Sequence, residues 1–196
     1  MKLKMFALLV FVCFYSNAQE SKFVFDYKTG LNDYIVIPVD GKTASEIYKK
    51  TLDWIKITYS DPSKAILSTI ENEYIRFNAL GEYICFDSLK PKNITLDCYK
   101  VKYEIEISFK DGKYKFELIS LKQFETPGQY RSGGWKDVPV FSKQLTEESL
   151  SKILFKKDGT IKKQYETITK SGDYFNQINN SLLDYINSNN KAKSDW

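Results

Sequence analysis

The stretch VKYEIEISFKDGKYKFELISL, residues 101 to 121, alternates apolar and polar side chains on both sides of an Asp-Gly pair. With Asp111 and Gly112 as a two-residue turn of the type that takes positive φ at both central positions, Phe109 faces Tyr114, Ile107 faces Phe116 and Ile105 faces Leu118. Every facing pair is apolar. Period-2 alternation sends Lys102, Glu104, Glu106, Ser108 and Lys110, with Lys113, Lys115 and Glu117 of the second strand, to the opposite face. A slip of one residue would bury all of them. The stretch therefore demands an antiparallel sheet with one face on a core and the other toward water, the habit of α+β domains.

Upstream, FVFDY and DYIVIPV between residues 23 and 39 read as two short strands around Thr29-Gly30-Leu31-Asn32. Asp40-Gly41 then turns into a helix, where Thr43 and Glu46 fit a capping box and Ile47, Leu52, Trp54, Ile55 and Tyr59 lie near one stripe. Asp61-Pro62 stops it. From Ala65 to Tyr99 the pattern is of short strands: AILSTI, a turn at Glu71-Asn72-Glu73, YIRFNAL, EYICF and, past Pro91, ITLDCY. Residues 122 to 140 carry two Pro and three Gly without periodicity and read as one long loop. Thr146 caps a short helix through Leu154, and Ile161, Tyr165, Ile168, Phe175, Ile178, Leu182 and Ile186 mark a long amphipathic helix with Gly172 as its weak point. Barely three heptad-like repeats favour packing on its own domain over a coiled coil.

The chain opens MKLK, continues through the apolar run Met5 to Tyr15 and reaches Ser16-Asn17-Ala18, which reads as a secretory signal peptide over residues 1–18. The run is short for a membrane span, an uncleaved anchor being the other reading. The organisation is then a sheet domain over 19–121, the loop over 122–140, C-terminal helices over 141–189 packing on the same domain, and a polar tail over 190–196. The expected localisation is periplasmic or secreted, with no membrane span after cleavage.

Function classes fall away quickly. The chain has no His, which removes imidazole acid–base roles, His-activated nucleophiles and His metal ligands. No GxSxG elbow, P-loop or EF-hand pattern occurs. Glu104 and Glu106 alternate with lysines on a face expected to be wet, so they read as solvated rather than catalytic. Neither catalytic, cofactor-binding nor metal residues are assigned, and the expectation is a protein that is not an enzyme. The sequence holds 29 basic against 25 acidic residues, and the leader removes Lys2 and Lys4 but no acid, a balance without a nucleic-acid footprint.

The step VDGKTASEIYKKTLDWIKITY, with Leu52 and Trp54 inside it, and the Lys-Asp-Gly-Lys-Tyr hairpin resemble a family of domains of unknown function found mainly in secreted proteins of Bacteroidetes. The resemblance covers residues 33 to 121. It implies a TBP-like fold, a curved antiparallel sheet with helices on one face, here followed by the long C-terminal helix, and it implies no activity.

Two functions remain. The first is a non-catalytic binding or assembly module of the cell envelope that meets another protein or a wall component through Tyr130, Arg131 and Trp135, residue types that anchor interfaces. Against it, Trp135 tucked onto the protein's own long helix would staple the loop. The alternative function is a small-molecule or lipid carrier with a pocket between sheet and helix, supplied by Tyr83, Phe86, Tyr103, Phe109, Tyr114 and Phe116, which would equally fill an ordinary core. Cys85 and Cys98 are the cysteines beyond the leader and form a candidate disulfide in an exported chain. Extending the hairpin's phase sets Cys98 with Lys100 and Lys102 on the polar side and Cys85 toward the core, so two unlinked thiols are the other reading.

Overall fold

The period-2 stretch forms the centre of the sheet. A computed structural model describes residues 21–26, 30–90, 93–130, 132–138, 146–162 and 171–188, with residues 82–99 and 150 described by their backbone alone. The elements run β1 (Phe25–Asp26), β2 (Gly30–Leu31), β3 (Tyr34–Pro38), α1 (Ala44–Thr58), α2 (Pro62–Ala65), β4 (Ile66–Ile70), β5 (Tyr74–Lys90), β6 (Asn93–Lys110), β7 (Lys113–Glu125), β8 (Gly134–Asp137), α3 (Glu147–Leu154) and α4 (Ser171–Asn187). The main sheet is antiparallel, in the order β3-β7-β6-β5-β4. β8 shares the β7 edge with β3, pairing Lys122–Glu125 where β3 pairs Lys113–Glu117.

The three apolar pairs expected of the hairpin are all present, Phe109 with Tyr114, Ile107 with Phe116 and Ile105 with Leu118. The turn differs in one respect: Gly112 alone takes positive φ, at 76°. Asp111 has another task, its Oδ1 accepting the Ala44 N–H at 2.8 Å at the start of α1, while Gly112 N–H donates to the Lys42 carbonyl at 2.8 Å. The turn is thus fastened to the helix entry, where Thr43 and Glu46 close the expected capping box.

α1 and α4 lie on one face of the sheet. Ile47, Trp54 and Ile55 of α1 and Phe175, Leu182 and Ile186 of α4 are buried against Ile75, Phe77, Ile105, Ile107 and Phe116 of the strands. Burying each such side chain contributes roughly 1.5–3 kcal/mol, so this layer is the main source of stability. Trp54 Nε1 donates to Ser181 Oγ at 3.1 Å, and Tyr59 and Tyr103 share a hydroxyl hydrogen bond of 3.2 Å. Gly172, read as a weak point, is a point of contact: a Cβ there would meet the Phe23 carbonyl oxygen at 2.8 Å.

Three expectations need correction. The segment 122–140 is not one loop, because β7 continues to Glu125 and β8 returns beside it, leaving Thr126 to Gly133 as the connection. Edge pairing on β7, a long-range effect, organises residues without a periodic pattern. The strands expected separately as YIRFNAL and EYICF are one strand, β5, bent at an irregularity between Gly81 and Ile84. A Cβ at Gly81 would collide with Val101 and the Tyr174 hydroxyl, so the bend sits where glycine lets α4 approach. The long helix expected from Ile161 onward does not include Ile161, which pairs with Phe155 in an isolated antiparallel bridge, and the described helix is Ser171–Asn187. The leader over 1–18, Arg131, residues 163–170 and the tail over 190–196 lie outside the described residues.

Candidate functional site

The helices cover one face of the sheet, and no described element covers the other. The open face carries the alternate residues of the same strands: Lys110, Ser108, Glu106, Glu104 and Lys102 of β6, flanked by Lys113, Lys115 and Glu117 of β7 and by Arg76 and Asn78 of β5. These are not independent solvated charges. Arg76 crosses to Glu106, Nη2 to Oε2 at 2.6 Å, and its Nη1 lies 3.7 Å from Glu104 Oε1. The hydrogen bonds that Arg76 donates to the Glu106 carboxylate raise the guanidinium pKa above its ordinary value. Glu106 stands directly opposite Glu117, a destabilising like-charge pair by itself. Arg76 on one side and Lys115, 2.5 Å from Glu117, on the other balance the two carboxylates.

Two clefts open on this face. One, of 490 Å³, is lined by Tyr34, Val36, Ser108, Lys110, Lys113 and Lys115. Lys115 Nζ sits 5.5 Å from the Tyr34 ring centroid in a cation–π contact. Lys110 and Lys113 flank the hairpin turn and have no ion pair among the described residues, so this end of the face is positive. The other cleft, of 410 Å³, is bordered by Leu67, Asn78, Lys102, Glu104, Lys122 and Trp135. Trp135 on its border pairs across the strands with Phe124, T-shaped with centroids 5.4 Å apart.

Of the residues singled out in the sequence, Trp135 belongs to this face. It lies on β8 against Phe124 rather than on the long helix, and it remains 39% exposed. Tyr130, in the connection before β8, is 91% exposed. Arg131 lies outside the described residues. Cys85 and Cys98 face each other in the β5–β6 register. Sequence reasoning missed Arg76, Tyr34 and Phe124 as parts of the face; the only local signal was their place in alternating strands.

The aromatics considered for a carrier pocket are packed instead. Tyr103, Phe109, Tyr114 and Phe116 are buried, with Phe116 against Phe23, Phe109 against Tyr48 and Tyr103 against Phe175; the side chains of Tyr83 and Phe86 are not described. Burial pushes the Tyr59 phenol up to about 12 and those of Tyr103 and Tyr114 higher still, as expected of hydroxyls that stay neutral. Among the described residues no group of His, Cys, Asp and Glu could hold a metal ion, and no helix is long and apolar enough to cross a membrane.

Comparison with known proteins agrees with this architecture. Residues 34–123 match the family model described as a domain of unknown function, DUF4468, with TBP-like fold. The chain is similar to the crystal structure of a DUF4468 family protein from Bacteroides ovatus, with a TM-score of 0.55 and 16% identity over 86% of this chain and 91% of that one. It is also similar to a TBP-like protein from Parabacteroides distasonis, with a TM-score of 0.49 and 13% identity over 78% and 90% of the two chains. No curated protein matches the chain.

Proposed function

From the match of residues 34–123 to the DUF4468 family model with its TBP-like fold, we propose a non-catalytic binding module of the cell envelope that receives a partner protein on the open sheet face. One observation carries the reading: a wide face, uncovered by any described element, combines a positive cleft at Lys110 and Lys113 with exposed aromatic side chains at Tyr34, Phe124 and Trp135. Tyrosine and tryptophan are among the side chains that interfaces use as anchors, and unpaired lysines beside them steer an oppositely charged partner. The chemistry fits an acidic protein segment that lays carboxylates on the lysines and apolar side chains on the aromatic rim.

Export is part of the proposal and is supported by the leader-like first 18 residues. The lack of His and of recognisable catalytic motifs supports a role without catalysis. A TBP-like fold carries no function by itself; the carboxylates of Glu104, Glu106 and Glu117 among the lysines argue against a phosphate-binding surface. No salt-sensitive complex with duplex DNA is expected in a gel shift. The carrier reading is weakened by the packing of its aromatics into the core.

The test is affinity capture from an envelope extract with the leaderless chain, beside a Lys110→Glu, Lys113→Glu variant and a Trp135→Ala variant. The expected result is one protein retained by the wild type and lost by the charge-reversed variant at unchanged melting temperature. The same protein retained equally by both folded variants would overturn the assignment of the face. Hydrogen exchange adds a second reading, since the amides of residues 132–137 should slow when the captured partner is bound.

A further inference from the structure

The β5–β6 hairpin outgrows the sheet. β7 pairs β6 only over Val101–Lys110, and β4 pairs β5 only over Ile66–Ile70 with Tyr74–Phe77. Beyond that, the ladder runs from Ile84 opposite Tyr99 to Lys90 opposite Asn93 as a two-stranded ribbon with no further strand partner among the described residues. Such a ribbon alone is marginal in water. Near its root the register sets Cys85 directly opposite Cys98.

The irregularity between Gly81 and Ile84 creates that pairing. It places three steps of β5 against two of β6; in the unshifted register Cys85 would meet Asp97 instead. The extra residue also removes the objection that the two cysteines fall on opposite faces, since residues directly opposite in an antiparallel ladder share a face. Hydrogen-bonded and non-hydrogen-bonded pairs alternate along the ladder. Lys90 and Asn93 close the hairpin with two residues between them, the spacing that a turn hydrogen bond joins. Counting back, Ser88 with Thr95 and Phe86 with Asp97 fall in the bonded class, which leaves Cys85 with Cys98 in the non-bonded class. That class brings Cα atoms to about 4.5 Å with the closest Cβ approach, inside the roughly 4.4–6.8 Å that a disulfide spans.

We infer that Cys85 and Cys98 form a cross-strand disulfide that fastens the root of this ribbon. The two thiols lose two protons and two electrons as the sulfur–sulfur bond forms. The electrons reduce the disulfide of an exchange oxidant, a thiol–disulfide oxidoreductase or oxidised glutathione, to two thiols. The pairing rests on the register; its occurrence in the cell rests on the proposed export, because such oxidants prevail outside the cytosol.

The experiment equilibrates the purified, reduced chain without its leader in a glutathione redox buffer, traps it with an alkylating reagent and weighs it denatured. The expected product is a monomer lower in mass by two hydrogen atoms, without alkylatable thiols, and with the peptides holding Cys85 and Cys98 linked. Two free thiols, glutathione adducts or disulfide-linked dimers in a buffer that fully oxidises a control disulfide protein would overturn the inference. The full chain alkylated at lysis of its own cells separates the two premises. Free thiols there, beside ready oxidation in the buffer, would overturn export while the pairing stands.

Discussion

Tyr114 is the point where the centre of the sheet is bonded to the C-terminal helix. Its ring is fully buried on β7, and its hydroxyl donates to Asn179 Oδ1 of α4 at 2.7 Å, Asn179 being buried as well. Burial raises the phenol pKa, so it remains a neutral donor throughout the physiological range. Tyr114→Phe keeps the ring and withdraws the donor from an amide oxygen that water does not reach. The cost of stranding such a group is about 1–3 kcal/mol; at about 2 kcal/mol, a chain of this size loses about 4–8 °C in Tm. The assay is urea unfolding of Tyr114→Phe, Asn179→Leu and the double variant, read at unchanged m-value. The expected coupling is at least about 1 kcal/mol, because the second substitution removes the group that the first leaves unpaired. Tyr114→Phe within about 0.5 kcal/mol of the wild type, or additive effects in the double variant, would refute the argument.

Three further outcomes follow from buried groups. Because Tyr59 ionises near 12 in the folded chain, and Tyr103 and Tyr114 higher, against about 10 when unfolded, their stabilisation is complete below pH 10 and is lost as pH rises toward the folded values. Because the unfolded phenols are only half ionised at pH 10, stability should fall by about 3 kcal/mol in all between pH 10 and 11 for the three together, and a flat urea midpoint over that window counts against it. Gly172→Ala, which elsewhere in a helix would gain about 1 kcal/mol, should here lose about 1–3 kcal/mol through the Phe23 carbonyl, seen as a lower denaturant midpoint. Thr51→Val should raise stability by about 1 kcal/mol, seen as a higher denaturant midpoint, since the Thr51 hydroxyl is buried on α1 without a hydrogen-bond partner among the described residues and both residues are β-branched.

What the sequence disclosed and what it withheld divide along the reach of the interactions. The β6–β7 hairpin and the capped helix α1 were legible because a two-residue turn, a period of two and a capping box are written within a few neighbouring residues. The irregularities were not legible. Leu118, Ile119 and Leu121 offer three apolar side chains to a strand that buries only the first and last of them. Which residue is the extra one depends on β6 opposite, not on any neighbour in the chain. The same holds for β8, whose Trp135 is on the open face because Phe124 stands across from it.

For the candidate site this distinction has a chemical consequence. In the sequence the charged alternate positions look equivalent, a solvated row with lysines and glutamates interspersed. Pairing across strands makes them unequal: Arg76 is committed to Glu106, and Lys115 to Glu117, while Lys110 and Lys113 keep their charge available at the turn. A ligand carboxylate arriving at Arg76 would have to displace a 2.6 Å charge-assisted contact. Lys110 and Lys113 have no such ion pair to give up among the described residues. On the proposed function, the positive end of the face, beside the Tyr34 ring, is therefore where an acidic partner would gain most, and charge reversal at those two lysines would discriminate better than any substitution in the paired centre.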